Sequence, residues 1–73
     1  MINMNQITIL LKDYADEHIK SLGLKYQRID EGLKVLVNDI PYTIKDGYYQ
    51  DPDEQLCEHY GINHDLVDSI EYN

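Results

Sequence analysis

Tryptophan and phenylalanine are absent from this chain, cysteine occurs once, proline twice and glycine four times. Each scarcity excludes something. Without Phe or Trp, an apolar core must be filled by Ile, Leu, Val and the seven tyrosines. One cysteine cannot form an internal disulfide, which fits a reducing compartment. No run of 18 or more apolar residues occurs, so no transmembrane helix is expected. The N-terminus has no basic stretch followed by an apolar one, so no signal peptide is expected. Together these point to a cytoplasmic protein. The chain has no glycine-rich phosphate loop, and its only serines are Ser21 and Ser69. Nothing in it implies a catalytic pocket, so the expectation is not an enzyme. Positive charge is also scarce: six Lys and Arg stand against 14 Asp and Glu, a formal net charge of -8. That balance argues strongly against a protein held to bare nucleic acid or anionic lipid by a basic surface.

The remaining composition is that of a globular chain, 42% hydrophobic and 27% charged over 73 residues. That length allows one small domain, residues 1–73, with a stability margin of a few kcal/mol. Charge is divided unevenly along it. From Met1 to Lys45 six basic residues balance six acidic ones. From Asp46 onward there are eight acids and no Lys or Arg, so the whole net charge sits on the last 28 residues.

Hydrophobic spacing predicts an amphipathic helix over residues 5–22. Ile7, Leu10, Leu11, Tyr14, His18 and Leu22 recur at steps of three and four. Asn5 is its N-cap, Gly23 its stop, and Leu10, Leu11, Tyr14 and Leu22 its packing face. Short strands follow. Leu24 to Ile29 is the first, Asp30-Glu31-Gly32 closes a hairpin, and Leu33, Val35 and Val37 alternate in the second. Ile40, Tyr42 and Ile44 line a third, which Pro41 requires to lie at an edge or to turn Pro41 away from its neighbour. Asp46-Gly47 reads as a turn, with Tyr48-Tyr49 a strand stub or a cover for the sheet.

A short helix begins at Asp51-Pro52-Asp53-Glu54, where an Asp N-cap precedes Pro at the first helical position. It buries Leu56, Cys57 and Tyr60 and ends at Gly61. Asn63 caps a last helix from His64 to about Tyr72, burying Leu66, Val67 and Ile70. The expected fold class is α+β: an N-terminal helix, a three-stranded antiparallel sheet and two short C-terminal helices, in the order α-β-β-β-α-α.

The segment Leu56 to Ile70 resembles the helix-turn-helix of DNA-binding regulators. Cys57, Gly61, Ile62, Val67 and Ile70 stand at that motif's packing positions. Its second helix would present Asn63, His64, Asp65, Asp68 and Ser69 to DNA, two carboxylates and no cation. Direct DNA binding is therefore not expected.

The acids carry the alternative. Glu54 and Glu58 lie at i,i+4; Asp65 and Asp68, and Asp68 and Glu71, at i,i+3. On helices these spacings are about 5–6 Å, similar to phosphates along one nucleic-acid strand. A plain solubilising face is the competing reading, although such a face usually intersperses Lys. Tyr42 and Tyr60 are expected in the core. Tyr48, Tyr49 and Tyr72 are expected to be partly exposed beside the acids, where Tyr suits an interface. The candidate partner-binding residues are thus Asp65, Asp68 and Glu71 on one helical flank, then Glu54 and Glu58, with Asp51, Asp53, Tyr48, Tyr49 and Tyr72.

No metal and no cofactor are expected. Cys57, His59, His64, Asp65 and Asp68 match no ligand spacing, and Asp51-x-Asp53 lacks the sixth-position Gly of a calcium loop.

In size, charge and α-β-β-β-α-α order the chain resembles the small acidic anti-CRISPR proteins encoded by phages, which block effector nucleases at their DNA-binding cleft. The resemblance implies a stoichiometric inhibitor that mimics DNA and binds a basic nucleic-acid-binding protein such as a CRISPR effector nuclease. It implies no contact with nucleic acid or membrane, a monomer or homodimer, and action in the host-cell cytoplasm. The alternatives are a helix-turn-helix-like regulator acting through protein contacts, or a homodimeric structural module.

Overall fold

In a computed structural model of the chain, residues 6–38 and 51–72 are described in full, and residues 44–45 and 48–49 as backbone. The chain opens with a strand. β1 spans Gln6–Leu11 and buries Ile7, Ile9 and Leu11 on one face, each no more than 1% exposed. Thr8 and Leu10 take the other face. Ile-Thr-Ile is β-branched, which favours a pleated surface over a helix. The helix expected over 5–22 shrinks to α1, Asp16–Ser21, six residues long, with Ile19 buried. Leu10 and Leu11 therefore do not share a packing face, and Tyr14 is 67% exposed rather than in the core. Leu22 does pack against the core, half-buried.

β2, Gln27–Ile29, is the end of the expected first strand, and β3, Gly32–Asn38, contains the expected second. Ile29 pairs with Gly32, so Asp30-Glu31 forms the tight hairpin loop. Leu33, Val35 and Val37 lie opposite Leu11, Ile9 and Ile7 and are buried with them. Of the expected third strand, residues 40–43, including Pro41 and Tyr42, lie outside the described residues. Ile44–Lys45 forms β4 and pairs antiparallel with β5, Tyr48–Tyr49. The Asp46-Gly47 turn expected between them also lies outside.

α2 spans Pro52–Tyr60 as expected, with Asp51 at its N-cap and Gly61 left-handed at its C-cap, φ 77°. The second C-terminal helix is not formed. Asn63 caps a single 3-10 turn, His64–Leu66, and the chain then extends as β6, Val67–Tyr72. β6 pairs antiparallel with β1, and the main sheet has four strands, not three, in the order β2-β3-β1-β6.

The helical spacing near the C-terminus has a local cause. Leu10 pairs with Ser69 but Leu11 with Val67, so Asp68 is an extra residue, a bulge. The bulge puts Val67 and Ile70 on the same face at a spacing of three, which in a sequence reads as a helix.

Each strand is antiparallel to its neighbours, so β1 and β2 run parallel with β3 between them. With the helices, β-α-β-β-α-β and the order β2-β3-β1-β6 are those of the split β-α-β arrangement, with β4–β5 inserted before α2. Ile19 of α1, and Leu56 and Cys57 of α2, join the buried sheet residues in one cluster, so the helices lie over one face of the sheet.

Candidate interaction surface

α2 is held in place at both ends. The Asp51 carboxylate accepts a hydrogen bond from the Asp53 N–H at 2.9 Å, satisfying a donor that the first turn leaves open. Gly61 closes the other end, and the Tyr60 hydroxyl donates to the carbonyl of Asn38 at 2.9 Å. Gln55, Leu56 and Cys57 face the core. Asp51, Glu54 and Glu58 are consequently exposed, with Asp53 half-buried beside them. Glu54 and Glu58 stand one turn apart. The acids of the first turn are also favourably placed against the positive end of the helix dipole. Part of the acidity is thus explained by the helix itself.

The other acids are not where a helix would have put them. Asp65 is exposed on the 3-10 turn, where its N–H donates to the side chain of Asn63 at 3.0 Å. Asp68 is the bulge residue of β6, and the Lys12 ammonium donates to its carboxylate at 2.6 Å. That contact raises the pKa of Lys12 above its ordinary value. Glu71 lies opposite Thr8, on the sheet face turned away from the helices. Asp65, Asp68 and Glu71 therefore line no common helical flank, and one of the three is neutralised by a cation from the first half of the chain.

Among the tyrosines, Tyr72 is 46% exposed, as expected, and its hydroxyl donates to the carboxylate of Asp53, tying β6 to the first turn of α2. Tyr60 is half-buried rather than fully in the core. Tyr48 and Tyr49 form β5, and their side chains lie outside the described residues. Cys57 is 2% exposed, and burial pushes its thiol above the ordinary value of 9.0. Among the described residues no group of three His, Cys, Asp or Glu could hold a metal. No helix among them is long and apolar enough to cross a membrane.

Three features escaped the sequence. His18 accepts a hydrogen bond on Nε2 from the backbone N–H of Asn63 at 2.9 Å, joining α1 to the turn after α2. Arg28 reaches from β2 to the Asp13 carbonyl at 3.2 Å and to the Asp16 carboxylate at 3.4 Å, bracing the start of α1. Lys25, Tyr26, Gln27, Lys34 and Leu36 line an open groove of about 340 Å³. None of these contacts leaves a periodicity behind, because each depends on which strand ends beside which. No protein-family model, curated protein or solved structure matches this chain.

Proposed function

We propose that this chain is a non-enzymatic binding protein that docks on a basic, nucleic-acid-binding protein through the acidic outer side of α2. The supporting observation is the grouping of Asp51 at the N-cap of α2 with Asp53, Glu54 and Glu58 on the helix, within the last 28 residues, which contain no Lys or Arg. Carboxylates placed this way speed encounter with an Arg- or Lys-lined groove and set its register. Tyr72, joined to Asp53, adds an aromatic surface beside them.

The acidic patch is smaller than the sequence implies. Asp68 is neutralised by Lys12 and Glu71 faces away, so Glu54 and Glu58 replace Asp65, Asp68 and Glu71 as the first residues to test. The specific partner, a CRISPR effector nuclease, is supported by size and charge alone, because the element order it drew on is not the order of this fold. A helix-turn-helix regulator loses its ground with the second helix.

The test compares three forms of the protein as bait: wild type, Glu54→Lys/Glu58→Lys, and the control Asp13→Lys/Glu17→Lys. Wild type and control should retain a nucleic-acid-binding protein that 0.5 M salt or competing duplex DNA releases, and the α2 variant should not. The same three proteins, added to a CRISPR effector nuclease cleaving duplex DNA, test the specific partner. Equal retention by all three would leave the acids of α2 as a solvated face.

A further inference from the structure

The face of the main sheet opposite the helices carries a second surface. Alternation along the strands places Thr8, Leu10, Lys34, Leu36 and Glu71 there. Leu36 is 48% exposed, and Leu10, beside it on β1, is only half-buried. The acids of α2 belong to the helix layer. Among the described residues this face carries Lys25 and Lys34 toward β2 and Glu71 on β6, with the mutually neutralised Lys12–Asp68 pair at the end of β1. Among its described residues a strongly acidic protein thus has one face with Leu36 and Leu10 near its centre, no excess of negative charge, and opposite charges, Lys25 and Glu71, at its two sides.

We propose that this face pairs with the same face of a second copy. A twofold interface brings one patch against itself, so the patch must be self-complementary. The register shows that it is. Lys25 falls level with Leu36 when the Gln27–Lys34 pairing is continued by two residues, and the two line one groove. Leu36 pairs with Thr8, and Thr8 with Glu71. Lys25, Leu36, Thr8 and Glu71 therefore form one row across β2, β3, β1 and β6.

A twofold axis parallel to the strands, between β3 and β1, reverses that row. It lays Lys25 of each copy over Glu71 of the other, and Leu36 over Thr8. The neighbouring row, Gln27, Lys34, Leu10 and Ser69, reverses likewise, laying the aliphatic stem of Lys34 over Leu10. Sheets stacked face to face lie about 10 Å apart, within the combined reach of Lys and Glu. A basic partner would meet Lys25 and Lys34, and an acidic one Glu71. A second copy pairs Lys25 with Glu71 twice over, once on each side of the axis.

Sedimentation equilibrium of the full chain at 0.15 M salt, over a wide range of concentration, reads the association. The wild type should pass from monomer to dimer. Leu36→Asp should remain monomeric, with the far-UV circular dichroism spectrum of wild type and, at dilutions where wild type is also monomeric, its melting temperature. Lys25→Glu and Glu71→Lys should each weaken dimerisation by at least about tenfold, because each turns two attractions into repulsions. The combined variant restores both pairs in every dimer and should return to within about threefold of wild type. Glu54→Lys/Glu58→Lys should dimerise as wild type does, which separates this face from the acidic side of α2. A wild type that stays monomeric overturns the proposal, as does a dimer that survives Leu36→Asp or a charge swap that restores nothing.

Discussion

Gly32→Ala is the substitution for which the structure states the sharpest cost. Gly32 opens β3 with φ 136°, in a region that L side chains rarely adopt. A Cβ built there would sit 2.2 Å from the carbonyl oxygen of Leu11, where contacts under 3.0 Å essentially never occur. That oxygen belongs to backbone in the middle of the sheet, so it cannot swing aside. Either the hairpin lifts from the end of β1 or the Gly32 dihedrals change. Both disturb Leu11 and Leu33, which pair across the strands and are each 0% exposed. Backbone strain of this kind costs about 1–3 kcal/mol, and displacing a packed core pair a similar amount. The expected loss is about 3–5 kcal/mol, against a stability for this length of about 4–11 kcal/mol with small domains at the low end. At about 4–8 °C per kcal/mol the melting temperature falls by more than about 12 °C. Gly23→Ala is the control: φ there is 73° and no atom lies within 4 Å, so only the left-handed backbone term applies, about 1–2 kcal/mol. Thermal and urea unfolding followed by circular dichroism measure both. If Gly32→Ala loses no more than Gly23→Ala, the approach of the hairpin to Leu11 is not as described.

Ile19, 0% exposed, and Tyr14, 67% exposed, separate the observed fold from the helix that the spacing suggests. Ile19→Ala should cost about 2–5 kcal/mol, whereas Tyr14→Ala should change the urea midpoint little. His18→Leu removes the acceptor of the Asn63 N–H, and should cost about 1–3 kcal/mol while speeding hydrogen exchange at that amide; unaltered exchange would contradict the bond. Cys57 should resist thiol reagents at pH 7 in the native state and react at once in denaturant. Because burial raises its thiol above 9.0, the folded state holds that proton more tightly than the unfolded state. Its contribution is complete below pH 9 and is lost as pH rises through the folded value, so wild type should lose stability above pH 9 faster than Cys57→Ala.

What could be read from the sequence was what depends on adjacent residues. The β2–β3 hairpin follows from Asp30-Glu31-Gly32 between apolar runs. The start of α2 follows from Asp51-Pro52 and its end from Gly61, since caps act within one turn. The two errors share a form. In β1, Leu10 and Leu11 are adjacent apolar residues at the strand end, and they supply the i,i+3 and i,i+4 matches that imitate a helix. In β6, the bulge at Asp68 shifts the alternation by one residue, with the same result. A strand that is apolar on both faces, or that carries a bulge, cannot be told from a short helix by spacing alone. Composition could have arbitrated for β1, where Ile7, Thr8 and Ile9 are three consecutive β-branched residues.

The same bulge explains why the acidic surface was only half legible. Counting charge along the chain treats Asp65, Asp68 and Glu71 as a series. Folding sends Glu71 to one face of the sheet, leaves Asp65 on a turn, and sets Asp68 against Lys12, just past the end of β1 and 56 positions away in sequence. That neutralisation depends on β1 and β6 being neighbours, and no local count reveals it. The acids of α2 keep their expected spacing because helix geometry is itself local. Among the described acids after Lys45, those whose grouping survives folding are therefore the ones at α2, an element that leaves its signal in adjacent residues. The sheet face argues the converse. Lys25, Leu36, Thr8 and Glu71 come from four separate segments and form a row only through strand register, so a self-complementary surface can be present in the fold and leave no pattern in the sequence.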